Sequence, residues 1–455
     1  MRYPRFWQSI RTKKNSYWIN SGFFTFSSKL SVALFGFFSF YLLVRGLNKE
    51  AFGTWTLFVA IYAVLESVRM AFIYNPLQAF ASQTIKSDYA AILQASLLLN
   101  FLFAAAVSIL LALVAPLISS VLDAPNLDYL IYIYIVSTFV LTLMTHCNFV
   151  QNVHLDFRGT FVSTLARKSI FFAYVLWQYT DEQSFDLIWL GIWEGIAVVI
   201  ATGITFALGR KYFSVRQRVD FGWVSKLFHY GKYTLGTNLS SMLLRSIDSF
   251  MLGGLLGPAA VAIYNPALRL SNLMEIPTGT ITTIVFPQIA RRVKEHGLSE
   301  AKRLYEKSVG LVLAVMIPVS VFVILFAEPI ILVVAGEDYL ASVPVLNVTI
   351  LYGLVLPFNR QFGITMNALG KAPINFYLVL TNALLNVGFN YFFISRYGVI
   401  GAPIGTLLAY LFGLVASEVV LYRLIRVNIL NVFVYIFQTY LSVGRRVVGL
   451  KRHKV

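Results

Sequence analysis

Cysteine occurs once in 455 residues, at Cys147, so the chain can form no intrachain disulfide and offers no cysteine-based metal centre. Histidine is nearly as scarce. The five present are scattered without ligand spacing, and no metal site is expected. Charge is also in short supply, at 13% of residues against 58% apolar, which leaves too little polar surface to cover a soluble core of this size. Apolar runs of about 20 residues or more, each enough to cross a bilayer, recur from end to end. Residues 97–118 (LLLNFLFAAAVSILLALVAPLI) are apolar on nearly every side and lack the alternation of a membrane barrel strand. Backbone amides cannot go unpaired in lipid, so these runs must be helical. The fold class is therefore an all-α polytopic membrane protein.

Twelve segments can be laid out, at residues 17–44, 52–79, 91–120, 129–155, 161–180, 185–209, 229–256, 260–288, 308–334, 341–369, 372–394 and 398–425. Residues 429–444 are short and lead into GRRVVGLKRHK, which favours an interfacial helix over a thirteenth span. The N-terminal MRYPRFWQSIRTKKNSYW is basic and aromatic, and the apolar run behind it is too long for a cleavable signal.

Charge gives a separate check. With a cytoplasmic N-terminus, most of the 37 Lys and Arg residues fall on the inner side, and the outer connections hold only Arg45, Lys49 and Arg396. Those outer connections carry acids instead, among them Asp123, Asp128, Asp181, Asp186, Glu337 and Asp338. The asymmetry follows the positive-inside rule, with both termini cytoplasmic. It also gives the formal net charge of +17 a partner, anionic membrane lipid. Nucleic acid is excluded as a partner, because no soluble fold is available to present a basic face.

The long basic connection near the middle leaves six spans on either side. The expected organisation is a basic tail at 1–16, a six-helix lobe at 17–209, a basic linker at 210–228, a second six-helix lobe at 229–425 and an interfacial or cytoplasmic segment at 426–455. Trp55 and Tyr264 stand 209 residues apart and Pro76 and Pro287 stand 211 apart, a faint repeat in nearly one register. An even number of spans between the halves implies a pseudo-two-fold along the membrane normal, as in parallel-repeat transporters.

Ionisable residues inside spans are costly, about 2.5 to 3.5 kcal/mol by insertion scales, and should face protein or a wet cavity. Lys29, Arg69, Arg245, Arg269 and Arg360 qualify, and they read as an electropositive cavity for a phosphate or pyrophosphate head, which guanidinium groups grip in a fixed fork. The competing reading is internal pairing, since Glu66–Arg69 and Arg245–Asp248 are each three apart on one helix. Glu275 is too far along its helix to partner Arg269 directly. Glu66, Asp248 and Glu418 are candidates for ion coupling, by proton exchange or as ligands of Na⁺, and no other cofactor is expected. Pro76, Pro116 and Pro287 read as residues near helix ends, whereas Pro318 and Pro357 read as mid-helix bends. Asn382, Asn386 and Asn390 share one helix face, which should line protein or water.

The run IDSFMLGGLLGPAAVAIYNPALRLSNLMEIPTGTITTIVFPQIAR and the later NALGKAPINFYLVLTNALLNVGFNYFFISRYGVIGAPIGTLLAY resemble the polysaccharide-exporter branch of the multidrug/oligosaccharidyl-lipid/polysaccharide superfamily. The motif residues are Asp248 with Gly253, Gly254 and Gly257, then Tyr264 and Pro287, and the turn of Gly370, Lys371 and Pro373. The resemblance implies a flippase, not an enzyme. Its substrate would be an undecaprenyl-pyrophosphate-linked oligosaccharide, moved across the bacterial inner membrane for O-antigen, capsule or exopolysaccharide synthesis. It also implies alternating access driven by an H⁺ or Na⁺ gradient, with glycan polymerase machinery as a partner. The alternatives are a multidrug antiporter of the same superfamily, whose cationic substrates five basic residues would repel, and a membrane glycan polymerase or ligase, for which no outer connection is long enough. A passive scaffold would gain nothing from the buried charges.

Overall fold

The computed structural model describes residues 14–81, 86–154, 156–181, 185–212, 220–278 and 298–452. Among them there is helix and no strand, so the protein is an all-α polytopic membrane protein. Helix α1 is Lys14–Gly46. Helix α2 runs from Lys49–Arg69 through a π-helical turn, Met70–Tyr74, into Asn75–Ala81. Then come α3 (Lys86–Val121), α4 (Leu127–Val153), α5 (Arg158–Thr180), α6 (Leu187–Gly209), α7 (Phe221–Leu256) and α8 (Pro258–Asn272). The chain continues with α9 (Leu298–Leu325), the short α10 (Ala327–Val334), α11 (Ser342–Ala368), α12 (Ala372–Tyr397), α13 (Gly401–Ile425) and α14 (Ile429–Arg452).

Eight stretches among the described residues are long and apolar enough to cross a bilayer, the last of which, Pro373–Ile425, holds both α12 and α13. The helices outside that set have visible reasons. Arg158, Arg167 and Lys168 lie in the first half of α5, and α8 has only 15 residues; in α7 the described apolar stretch is Ser246–Leu256, the side chains of 236–245 lying outside the described residues. Taken together, α1–α9 and α11–α13 account for the twelve apolar segments of the sequence. The ninth segment breaks at Phe326 into α9 and α10. The eighth breaks after Asn272 and resumes as helix at 275–278, and its remainder lies outside the described residues.

The chain divides into two compact units, residues 1–239 and 240–455. In the first, α1 lies along α5 through Phe24–Phe161 and Phe35–Phe172 ring contacts. Tyr74, Leu77 and Ile92, with Val150, form a core where α2, α3 and α4 meet. Pro76 and Pro116 lie inside helices but near their ends, as the sequence suggests, five residues before Ala81 and five before Val121. Pro76 lacks the N–H that would bond the Phe72 carbonyl, and the π turn absorbs the mismatch. Gly231 of α7 comes so close to that carbonyl oxygen that a Cβ there would lie 2.3 Å from it. Pro318 and Pro357 are mid-helix, as expected, whereas Pro287 lies outside the described residues.

In the second unit α12 pairs with α13, α11 packs on α13, and α9 on α11. Glycine sets the α12–α13 distance. A Cβ on Gly405 would stand 2.4 Å from Asn390 Oδ1, and one on Gly413 would stand 2.2 Å from Asn382 Nδ2. The asparagine stripe is thus buried in protein, with Asn382, Asn386 and Asn390 at most 7% exposed. Helix α14 has an apolar stretch of only Ile429–Ser442, too short to cross, and rests on α9 through Val432 and Ile436. Glu306 of α9 fastens it, accepting from the Asn428 backbone N–H at 2.8 Å and from Asn431 Nδ2 at 3.0 Å.

Candidate functional site

Four helices of the second unit converge on one carboxylate. Asp248, near the end of α7, is buried. Tyr264 of α8 donates to its Oδ2 at 2.7 Å, and Asn390 of α12 donates to its Oδ1 at 2.6 Å. The Thr406 hydroxyl of α13 stands 3.0 and 3.1 Å from the two oxygens. Local sequence delivers each group. Gly257 takes a positive φ of 83°, which a side chain would oppose, and turns the chain back so that α8 sets Tyr264 against α7. The close α12–α13 approach at Gly405 brings Asn390 and Thr406 to the same oxygens. Behind them, Asn386 donates to Thr406 at 2.9 Å, and Tyr352 of α11 lines the adjoining space with Ser271.

Asp248 faces a cavity of about 340 Å³ also lined by Ser271, Glu275, Tyr352, Thr406 and Tyr410. Glu275 is held from a different helix: its Oε2 lies 3.6 Å from Nη1 of Arg360 on α11. A carboxylate satisfied by three neutral donors and open to a polar cavity can take up a proton or a small cation without breaking an ion pair. Among the described residues no cluster of three or more His, Cys, Asp or Glu could hold a metal.

The first unit carries a second polar network. Arg167 of α5 donates to Glu194 of α6 from Nε at 3.0 Å and from Nη2 at 2.6 Å, and to the Tyr62 hydroxyl of α2 at 2.9 Å. Lys168 approaches the same carboxylate at 3.8 Å. Tyr62 meets Tyr134 of α4 edge-on, with ring centroids 5.5 Å apart, and Tyr134 donates to Glu66 at 3.0 Å. Glu66 lies 3.4 Å from Arg69, which also donates to Thr138. The pairing expected from the Glu66–Arg69 spacing is therefore formed, and Arg69 is only 1% exposed.

The basic residues singled out in the sequence are spread over both units. Lys29 is exposed on α1, and Arg69 is enclosed among α2 and α4. Arg269 is exposed on α8, with its Nε donating to Asn265 one turn back, and Arg360 is partly buried beside Glu275. The Arg245 side chain lies outside the described residues. Glu418 of α13 accepts from the Tyr305 hydroxyl of α9. Sequence reasoning missed the roles of Thr406, Tyr352, Tyr62, Arg167 and Lys168. A hydroxyl on an apolar helix gives no signal of its own. The glutamate at 194, in an otherwise apolar segment, was the available clue that a cation must meet it.

The fold is shared with a membrane transporter of known structure. Lipid II flippase MurJ, in an inward closed conformation, superposes with a TM-score of 0.72 at 15% identity, covering 92% of each chain. The family profile described as "Polysaccharide biosynthesis protein" matches residues 42–344, and the chain belongs to that family, in keeping with the resemblance read from its sequence. Among curated relatives, the teichuronic acid biosynthesis protein TuaB of Bacillus subtilis is 25% identical over 66% of this chain and 62% of its own. A putative O-antigen transporter of Shigella flexneri is 26% identical over 39% of this chain and 42% of its own. The matches thus span less than two thirds of these relatives' length.

Proposed function

We propose that this protein flips an undecaprenyl-pyrophosphate-linked oligosaccharide from the cytoplasmic to the outer leaflet of a bacterial inner membrane, as a step in surface polysaccharide synthesis. The observation that carries the reading is the polysaccharide-biosynthesis family match over residues 42–344. The relatives named for teichuronic acid and for O-antigen transport support the substrate class. In this reading the protein is a transporter and not an enzyme, and both termini are cytoplasmic, in keeping with the basic residues of the inner segments. Lys29, Arg69, Arg245, Arg269 and Arg360 supply the positive field for the pyrophosphate, with Arg269 and Arg360 the leading contacts. Arg69 acts through the field more than by contact, because Glu66 and Thr138 already occupy it. Anionic lipid and the glycan polymerase machinery are the partners on either side of the step.

An H⁺ or Na⁺ gradient drives the cycle, with no other cofactor. Of the three candidate carboxylates Asp248 is preferred for coupling. Glu66 is tied to Arg69 and Tyr134, and Glu418 to Tyr305, whereas Asp248 opens on a cavity and has amide and hydroxyl oxygens beside it of the kind hard cations take. The reading is tested in cells depleted of the protein, from which inside-out and right-side-out vesicles are prepared. The oligosaccharide lipid should accumulate where a glycosidase reaches it only in inside-out vesicles. Unchanged access in right-side-out vesicles would contradict the proposal.

A further inference from the structure

A smaller cavity of about 90 Å³ adjoins the Asp248 cavity and shares Thr406 and Tyr410 with it. Much of the rest of its lining is amide: Asn359 from α11, and Asn375, Asn382 and Asn386 from α12. Asn390, which reaches Asp248, lies one turn beyond Asn386. From Asn375 to Asn390 this line covers about 22 Å of helix at roughly 1.5 Å per residue, much of the thickness of a hydrocarbon layer.

One long contact joins two of these amides, Asn390 Nδ2 donating to Asn386 Oδ1 at 3.5 Å, and the rest of their bonds go elsewhere. Asn359 donates to the Tyr410 carbonyl at 3.1 Å, and Asn386 donates to Thr406. The side-chain carbonyl oxygens of Asn359, Asn382 and Asn390 are buried without a hydrogen-bond partner among the described residues. Glycine makes room for the line. A Cβ on Gly363 would stand 2.9 Å from Asn375 Oδ1, and one on Gly413 would stand 2.9 Å from Asn359 Oδ1. Buried polar groups without a protein partner are met by water where space adjoins them, and about 90 Å³ beside these amides is room for roughly three molecules.

We propose that α11, α12 and α13 enclose a hydrated passage, lined by Asn359, Asn375, Asn382 and Asn386, along which water and a small monovalent cation move between the Lys371 end of α12 and Asp248. Amide oxygens replace part of a cation's hydration shell, as backbone carbonyls do in channel filters. The passage gives the coupling site of the proposed function its route to the cytoplasm. It rests on that reading for its purpose, but its hydration does not depend on transport.

The test uses silver ions on the full-length protein in proteoliposomes, in a Cys147→Ser background. Cysteine is placed singly at 375, 382 and 359, and at Leu384, which lies at the same depth as Asn382 but is 67% exposed on the outer side of α12. After silver treatment the protein is unfolded, and thiols still free for a maleimide are counted by mass spectrometry. Hydrocarbon excludes a cation by about a hundredfold or more. The expected result is rapid silver protection at 375, 382 and 359 and slow protection at 384. Protection at 382 and 359 as slow as at 384 overturns the passage, and so does protection at 375 alone. If Asn382→Cys fails to fold, Asn359→Cys from the facing helix decides the matter. Protection along the line in a protein whose transport ignores ion gradients would leave the passage standing and remove the coupling role of Asp248.

Discussion

The side-chain amide of Asn390 donates to Oδ1 of Asp248 across 2.6 Å, joining α12 to α7 at a point where 142 residues of chain separate the two. Tyr264 and Thr406 complete the cage around the carboxylate, so its charge is balanced by dipoles and not by a cation. An Asp248→Asn variant keeps the shape and loses the titratable group. Its transport should become independent of imposed H⁺ or Na⁺ gradients while expression holds, as read by initial rates with and without each gradient. Gradient stimulation equal to wild type would remove Asp248 from the coupling role.

Gly405 is the residue on which that cage depends for space. Alanine there would drive a Cβ to 2.4 Å from Asn390 Oδ1 and 2.9 Å from its backbone nitrogen. Overpacking of this kind costs about 1–3 kcal/mol, so Gly405→Ala should lower the thermal midpoint in detergent and weaken gradient dependence together. Gly388, with nothing within 4 Å of a built Cβ, is the control, and alanine there should be tolerated.

Buried ion pairs differ from dipole cages in what their loss does. Arg167 and Glu194 are 11% and 18% exposed, and removing one partner strands the other. Glu194→Gln should destabilise the first unit by about 3–5 kcal/mol, and replacing both residues by apolar ones should restore much of that. Thermal unfolding of the two single variants and the double variant, read as a coupling energy, checks this.

Much of this arrangement could be read before the fold was seen, and the reason is local periodicity. Asn382, Asn386 and Asn390 sit four apart, and Glu66 and Arg69 three apart, so helical geometry alone puts each set on one face. What could not be read were partners supplied by other helices. Glu275 looked unpartnered because its cation, Arg360, comes from α11, and the pairing of Arg167 with Glu194 likewise joins two helices, α5 and α6. Pro76 was legible as a residue near the end of α2, but the π turn that precedes it was not.

Glu306 gives the C-terminal helix a polar fastening that can be cut, beside the apolar contacts of Val432 and Ile436. Glu306→Ala removes the acceptor of both the Asn428 N–H and the Asn431 amide, and should free α14 from α9 while leaving the spans intact. Trypsin cleavage after Arg426 in micelles should accelerate severalfold. An unchanged cleavage rate would mean that the Val432 and Ile436 contacts alone hold the helix.

The central claim, a transporter that carries a pyrophosphate-linked glycan lipid under cationic guidance, is tested most directly in vesicles. The purified protein is reconstituted with an undecaprenyl-pyrophosphate oligosaccharide, and the fraction exposed on the far leaflet is followed with a glycosidase under imposed H⁺ or Na⁺ gradients. Exposure should depend on the protein, rise with one of the two gradients, and fall in Arg269→Ala and Arg360→Ala by more than protein level falls. Exposure at the rate of empty vesicles, or unchanged by both substitutions, would contradict the account.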